Sequence, residues 1–338
     1  KIKYFFQSFF FFFSSFFKVR KFKHFLCIIF FIKIIFLKKK FHEIFKNKNY
    51  KCCYVDYDIL MPSYIYLALK SLKVKVFSYQ ERFNLGFKTC RIAIFCDHYF
   101  VNNPYQVKFL AKSPYITAKT FEQVGQIKSE YLQSLKKNKN KNKKKTIVIF
   151  GYNSPINKYR AFHEPLINWE SQKIFLRDII TISKKFQNHL FIIRFKSLEW
   201  LTSNKYFSKE FKNIKKTKNL KINTEYTYEK SYKICSTSDL IISRWSSIVD
   251  EALCARKSVL VYNYTGKSTN IIKNYFNYGK NINCNNLNEL IDLIKKKLEN
   301  KKYEKYDFKF SKKYYGFPSR YKNFTKTKIR KELLKFVN

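Results

Sequence analysis

Leu240, Ile241 and Ile242 form one short all-apolar run and Val259, Leu260 and Val261 form another, separated by a single helix length of chain, SRWSSIVDEALCARKS. A strand without alternation is apolar on both faces and is covered on both, and two such strands joined by a helix lie parallel. No other feature constrains the fold as tightly. It calls for an open α/β sheet, which binds ligands beyond the carboxyl ends of its strands. Ser246 and Ser247 open the connecting helix, where a hydroxyl can satisfy orphan amides and free amides attract an anion. Asp250 and Glu251 follow within a turn, a place from which a carboxylate can accept hydrogen bonds from a ribose diol.

This stretch resembles the donor half-site of glycosyltransferases with two facing Rossmann-like domains, the B-type fold, and in particular the CDP-glycerol glycerophosphotransferase and surface (capsular) polysaccharide group. The resemblance implies an α/β chain of two Rossmann-like domains facing across a cleft. It implies that Ser246 and Ser247 hold a donor diphosphate and Glu251 the ribose. A second match lies earlier, in FEQVGQIKSEYL from Phe121 to Leu132. It is similar to the G-x-x-R-x-D-x-L element that closes the first domain in the glycerophosphotransferases, with Gly125, Lys128, Glu130 and Leu132 in the corresponding places. Lys stands for Arg and Glu for Asp, so bidentate geometry is not carried over.

At 338 residues the chain is long enough for two cores. The expected division is a first, acceptor domain over 1–135, a basic linker over 136–145, a donor domain over 146–305, and a tail over 306–338 that packs back on the first domain. The chain begins with Lys, so it is expected to be a fragment or a processed product. A net charge of +46 taken alone suggests nucleic acid or an anionic membrane. The abundance of Lys, Asn, Ile, Phe and Tyr beside only 6 Gly and 6 Pro is what AT-rich coding produces with any fold, so the charge is discounted as a sign of nucleic-acid binding. Eight cysteines without a C-x-x-C pair make neither a zinc site nor a disulfide framework, and fit a reducing cytoplasm.

Along the chain, Phe5 to Phe17 and Phe25 to Leu37 are apolar but shorter than a membrane span, and Lys33 interrupts the second. Core elements of the first domain are favoured over an aromatic surface docked on an anionic membrane. YVDYDIL, MPSYIYLALKSL and KVKVFSY read as strand, helix and strand, with Glu81 and Arg82 just beyond the second strand. CRIAIFCDHYFVNN reads as a strand ending at Asp97 and His98. TIVIFGYNSP starts the second domain with Gly151, Asn153 and Ser154 toward the cleft, and HLFIIRFKS is a strand with Arg194 and Lys196 at its end. The families it resembles place a basic motif there, on the donor diphosphate or an acceptor phosphate. The G-K-S of YTGKSTN is not a phosphate loop, because the upstream glycine is missing.

The chemistry expected is transfer from a nucleotide-activated sugar, or polyol phosphate, to a glycan or lipid-linked acceptor. No cofactor is expected, and no metal, since no D-x-D pair sits in a suitable loop. Amides and cations then stabilise the leaving diphosphate. An inverting displacement needs a base from the first domain: Glu81 first, His98 second. The glycerophosphotransferases carry His-Gly where this chain has Gln80, Glu81 and Arg82, so Glu81 replaces that histidine. Two alternatives stay open: a UDP-sugar 2-epimerase, and a basic membrane-surface or nucleic-acid-binding protein without catalysis. The expected location is the cytoplasm, including the inner face of the membrane.

Overall fold

The computed structural model describes residues 22–80, 93–102, 107, 110–135, 144–154, 168–223, 225, 227–244, 246–265, 278–299 and 324–336. Its first half contains helix α1 (Phe22–Phe45), strand β1 (Cys52–Val55), α2 (Ser63–Ser71), β2 (Lys75–Tyr79), β3 (His98–Val101), β4 (Thr120–Gln123) and α3 (Ile127–Ser134). The second contains β5 (Thr146–Phe150), α4 (Trp169–Lys185), β6 (Leu190–Arg194), α5 (Glu199–Thr202), α6 (Ser208–Lys216) and β7 (Leu220–Asn223). It continues with α7 (Tyr228–Thr237), β8 (Leu240–Ser243), α8 (Ile248–Cys254), β9 (Val259–Tyr262), β10 (Asn283–Cys284), α9 (Leu287–Glu299) and α10 (Phe324–Leu334).

The strands form two sheets, ordered β1-β2-β3-β4 and β10-β9-β8-β5-β6-β7. Every pairing between these strands is parallel. The all-apolar runs explain the second sheet. Ile147, Ile149, Leu240 and Ile242 pack on one face with α4 residues such as Phe175 and Ile179. Ile241, Val259 and Val261 pack on the other with Val249 and Leu253 of α8.

Gly151, at the exit of β5, is fixed by close approach. Its amide donates to the Arg194 carbonyl, and a Cβ there would run into the buried Phe195 ring. Gly151→Ala is expected to cost about 2 kcal/mol, because an overpacked core must shift a ring that Trp200 already holds edge-on. A urea titration reads it.

Helix α3 joins three parts of the molecule. Leu132 is buried among Ile241, Val249 and Leu253 of the second sheet's core. Gly125 has φ +101, and a Cβ there would meet Thr325 Oγ1 at 2.6 Å. Glu130 Oε1 accepts from the Thr325 amide at 3.1 Å and from its hydroxyl. Burial raises the Glu130 pKa, and the Thr325 hydrogen bonds oppose it. Helix α10 thereby lies on the first sheet, with Ile329 against Phe77, Tyr79 and Phe100 and with Lys328 paired to Glu122 at 2.8 Å.

The N-terminal helix corrects an expectation. Phe25 to Leu37 was assigned to the first domain's core, yet from Cys27 onward α1 has no buried residue. Its far end is docked on α2, through Phe41 against Tyr64 at 5.4 Å and His42 Nδ1 against Ser71 Oγ at 2.8 Å. The reason is length: α1 has 24 residues and α2, its neighbour, has 9.

Candidate functional site

The exits of β8, β5 and β9 are tied together. The Ser243 hydroxyl donates to the Phe150 carbonyl at 3.1 Å. Arg244 is buried, donates through Nη2 to Asn263 Oδ1 at 3.1 Å and Thr265 Oγ1 at 2.7 Å, and lies 4.3 Å over the Tyr264 ring. Burial lowers its pKa, and Tyr264 acts in the opposite direction. Ser246 and Ser247 come next, both half-buried. Ser247 occupies the cap position of α8 without a side-chain capping bond, and Ser246 Oγ accepts from the Ile248 amide only at 3.4 Å. The structure therefore spends little of either hydroxyl on the helix.

One turn on, Glu251 is buried where α8 meets α7 and α3. Its Oε2 accepts from the Tyr232 hydroxyl at 2.8 Å, and Lys128 Nζ stands 3.9 Å from Oε1. The Ser129 hydroxyl donates to the Glu251 carbonyl at 2.9 Å, and Tyr131 meets Tyr232 edge-on at 5.5 Å. The carboxylate predicted for a ribose is thus closed under a tyrosine and a lysine, the lysine coming from the second sequence match. Asp250 is likewise buried and accepts from the Tyr278 hydroxyl at 2.7 Å.

At the β5 and β6 exits, Asn153 Oδ1 accepts from the amides of Lys196 at 3.1 Å and Ser197 at 3.3 Å. The Lys196 side chain is exposed, and the Ser154 hydroxyl is buried without a partner among the described residues. Arg194 goes elsewhere. Nε donates to Ser231 Oγ at 2.9 Å, Nη1 to Asn223 Oδ1 and the Glu225 carbonyl, and Nη2 to the Thr227 carbonyl at 2.9 Å. It fastens the turn before α7. The second sheet thus brings Gly151, Ser154, Lys196, Ser246 and Ser247 to its carboxyl rim, and directs Arg194 into the loop beside it.

In the first sheet, Glu81 and Arg82 lie outside the described residues, as do 136–143 of the basic linker, the G-K-S loop and 306–323 of the tail. His98 is a correction. Strand β3 begins at His98 instead of ending there, paired with Phe77 and Thr120. It stands on the amino rim, about 10 Å along the strand from the carboxyl rim where ligands bind. Its ring lies 5.3 Å from Phe77 and 5.0 Å from Phe100, and Nε2 has no hydrogen-bond partner among the described residues. Burial lowers its pKa below 6.5, with Glu122 and Glu332 opposing. The unfolded chain then takes up the proton at a higher pH than the folded one. This group's stabilising contribution is complete above pH 6.5 and is lost as pH falls toward the folded value. Melting His98→Phe across that window should show a shallower acid loss than the wild type, with turnover unchanged.

No family model matches the sequence, and none of the curated proteins matches it significantly. Solved structures do match. UDP-GlcNAc 2-epimerase from Neisseria meningitidis bound to UDP-GlcNAc superposes with a TM-score of 0.57 at 16% identity, covering 90% of this chain and 81% of that one. The S. aureus MnaA–UDP structure gives 0.59 at 10%, covering 90% and 79%. The Methanocaldococcus jannaschii UDP-GlcNAc 2-epimerase gives 0.54 at 13%, covering 90% and 82%. This is the B-type glycosyltransferase fold.

Within the B-type fold, the carboxyl rim holds residues that sequence reasoning passed over. Arg244 was readable two residues before the serine pair, but a cation among 69 basic residues carries no signal of its own. Tyr232, the partner of Glu251, belongs to a helix whose spacing shows only an apolar face. At the first sheet's carboxyl rim, Gln80 Oε1 accepts from the Asn102 amide at 3.0 Å, joining the β2 and β3 exits beside the place where Glu81 follows.

Proposed function

We propose that this chain is a nucleotide-sugar enzyme that moves the sugar of a nucleoside-diphosphate donor to a hydroxyl of a glycan or lipid-linked acceptor in surface polysaccharide assembly. The observation that carries the reading is the half-buried Ser246–Ser247 turn at the carboxyl rim of β8, on a fold whose solved neighbours include structures with UDP-GlcNAc and with UDP. The serine hydroxyls take the diphosphate, and the exposed Lys196 supports it from the β6 exit. Glu251 holds α8 to Tyr232 and Lys128 and so keeps the serine turn in place. A ribose reaches its carboxylate only when that seam parts. Glu81, the residue after Gln80 in the sequence, is the proposed base. The step needs no cofactor.

The fold likeness to the 2-epimerases favours a second reading, inversion at the sugar's C2 with the nucleotide retained. Incubation with a panel of nucleotide sugars separates the two. Nucleotide release only when an acceptor is present supports transfer; a C2 epimer formed without acceptor supports epimerisation. Neither product with any donor removes the catalytic reading.

A further inference from the structure

We propose that the side-chain amides of Gln80 and Asn102 hold the neutral hydroxyls of a sugar ring at the first sheet's carboxyl rim. The inference rests on the nucleotide-sugar reading and adds to it the residues and the chemistry of a sugar subsite. Each residue stands one position past the end of its strand, Gln80 after β2 and Asn102 after β3. Gln80 is fully buried and Asn102 is 2% exposed. Gln80 Oε1 accepts from the Asn102 backbone amide at 3.0 Å, a bond that spends the oxygen, orients the side chain and leaves Nε2 over. Gln80 Nε2, Asn102 Nδ2 and Asn102 Oδ1 have no hydrogen-bond partner among the described residues. Buried amides are nearly always bonded, because an unmet donor or acceptor away from water destabilises the fold. Three such atoms within one side chain's reach of each other, at a rim where open α/β sheets bind ligands, point to a ligand.

The chemistry of the atoms selects that ligand. Two are donors, one is an acceptor and none is charged. A phosphate or carboxylate would find no charge in the pair to answer its own, and an apolar group would leave all three atoms unmet. A sugar hydroxyl both donates and accepts. Neighbouring hydroxyls of one ring can therefore donate to Asn102 Oδ1 and accept from Asn102 Nδ2 and Gln80 Nε2. Water has the same two capacities, and the experiment below separates it from a sugar. Position agrees with the reading. Tyr79, next to Gln80, accepts through its hydroxyl from the Ile127 amide at 3.1 Å and donates to the Gly125 carbonyl at 3.2 Å. Two residues after Ile127, the Ser129 hydroxyl donates to the Glu251 carbonyl at 2.9 Å. The first turn of α3 thus ties the β2 exit to α8, the helix that follows the serine turn.

The hydroxyls belong to the donor's sugar or to an acceptor glycan, and two arms tell these apart. Calorimetric titration of the full chain with UDP and with UDP-GlcNAc reads the donor's sugar. Saturation-transfer NMR of the methyl glycosides of glucose, galactose and N-acetylglucosamine on the UDP-saturated chain reads an acceptor's. The wild type should bind the sugar in at least one arm. Asn102→Leu keeps the volume and removes both unbonded atoms. It should weaken that sugar binding about tenfold, leave UDP affinity unchanged and melt no lower than the wild type, since an unmet amide gives way to an apolar group of its own size. Asn102→Ala, with no branched end to accommodate, should lose the same sugar affinity. A leucine variant that melts lower and binds sugar as before would mean that the amides hold only water, and would overturn the proposal. So would sugar binding retained by both variants, UDP affinity lost together with the sugar's, or a wild type that binds UDP and no sugar in either arm. In each of these the wild type still binds UDP, so the nucleotide site stands. A wild type that binds neither UDP nor sugar would overturn both.

Discussion

Changing Ser246 and Ser247 together to alanine should weaken binding of a nucleoside diphosphate by about a hundredfold while the fold hardly notices. A hydrogen bond to a charged group is worth about 1.5 to 3 kcal/mol, so losing two removes about 3 kcal/mol, or about two powers of ten in affinity. The stability cost is small for a reason visible in the structure. Ser247 makes no side-chain capping bond, and the Ser246 bond to the Ile248 amide is long at 3.4 Å. The loss should therefore stay below about 1 kcal/mol, the usual worth of a good cap. Calorimetric titration with UDP beside a thermal melt measures both quantities. A large drop in melting temperature with affinity retained would mean that these serines only build the helix.

The second large effect is the reverse: Arg194→Met should cost about 4 kcal/mol of stability and have little direct effect on the donor. Its guanidinium is buried and holds Ser231, Asn223 and the carbonyls of Glu225 and Thr227. Removing a buried charged donor strands its acceptors, which costs several kcal/mol. Lys196→Met, an exposed neighbour at the same strand end, should cost no more than about 0.5 kcal/mol. Denaturant midpoints compare the two, and hydrogen exchange should show 223–227 opening in the Arg194 variant alone. If Arg194→Met instead melts normally and loses the nucleotide, the guanidinium is a donor ligand after all.

That contrast shows what the sequence carried. The strand-end rule put Arg194 and Lys196 correctly at the carboxyl end of β6, because a parallel strand apolar on both faces is unmistakable. It gave no side-chain direction. Consecutive strand residues point to opposite faces, and the polar groups awaiting Arg194 come from a turn about 30 residues later. The βαβ units and the serine turn were legible for the same reason as β6. His98 was misplaced because CRIAIF has the stronger apolar run, yet among the described residues of that run only Ile94 makes a bridge, and the ladder begins at His98. In α1 the composition misled. With 37 phenylalanines in the chain, apolarity no longer marks burial. The match at Gly125 to Leu132 was readable as an element, but its work is distributed: Gly125 and Glu130 receive Thr325, Lys128 reaches Glu251, and Leu132 enters the other lobe's core. No local pattern reveals partners so far away in the chain.

The seat assigned to the donor can be observed directly by amide hydrogen exchange of the wild type with and without saturating UDP. The account predicts that slowing concentrates in the amides from 246 to 249, with a weaker effect at Lys196 and Ser197. Exchange in that turn unaltered by nucleotide, or protection confined to the first sheet, would contradict it.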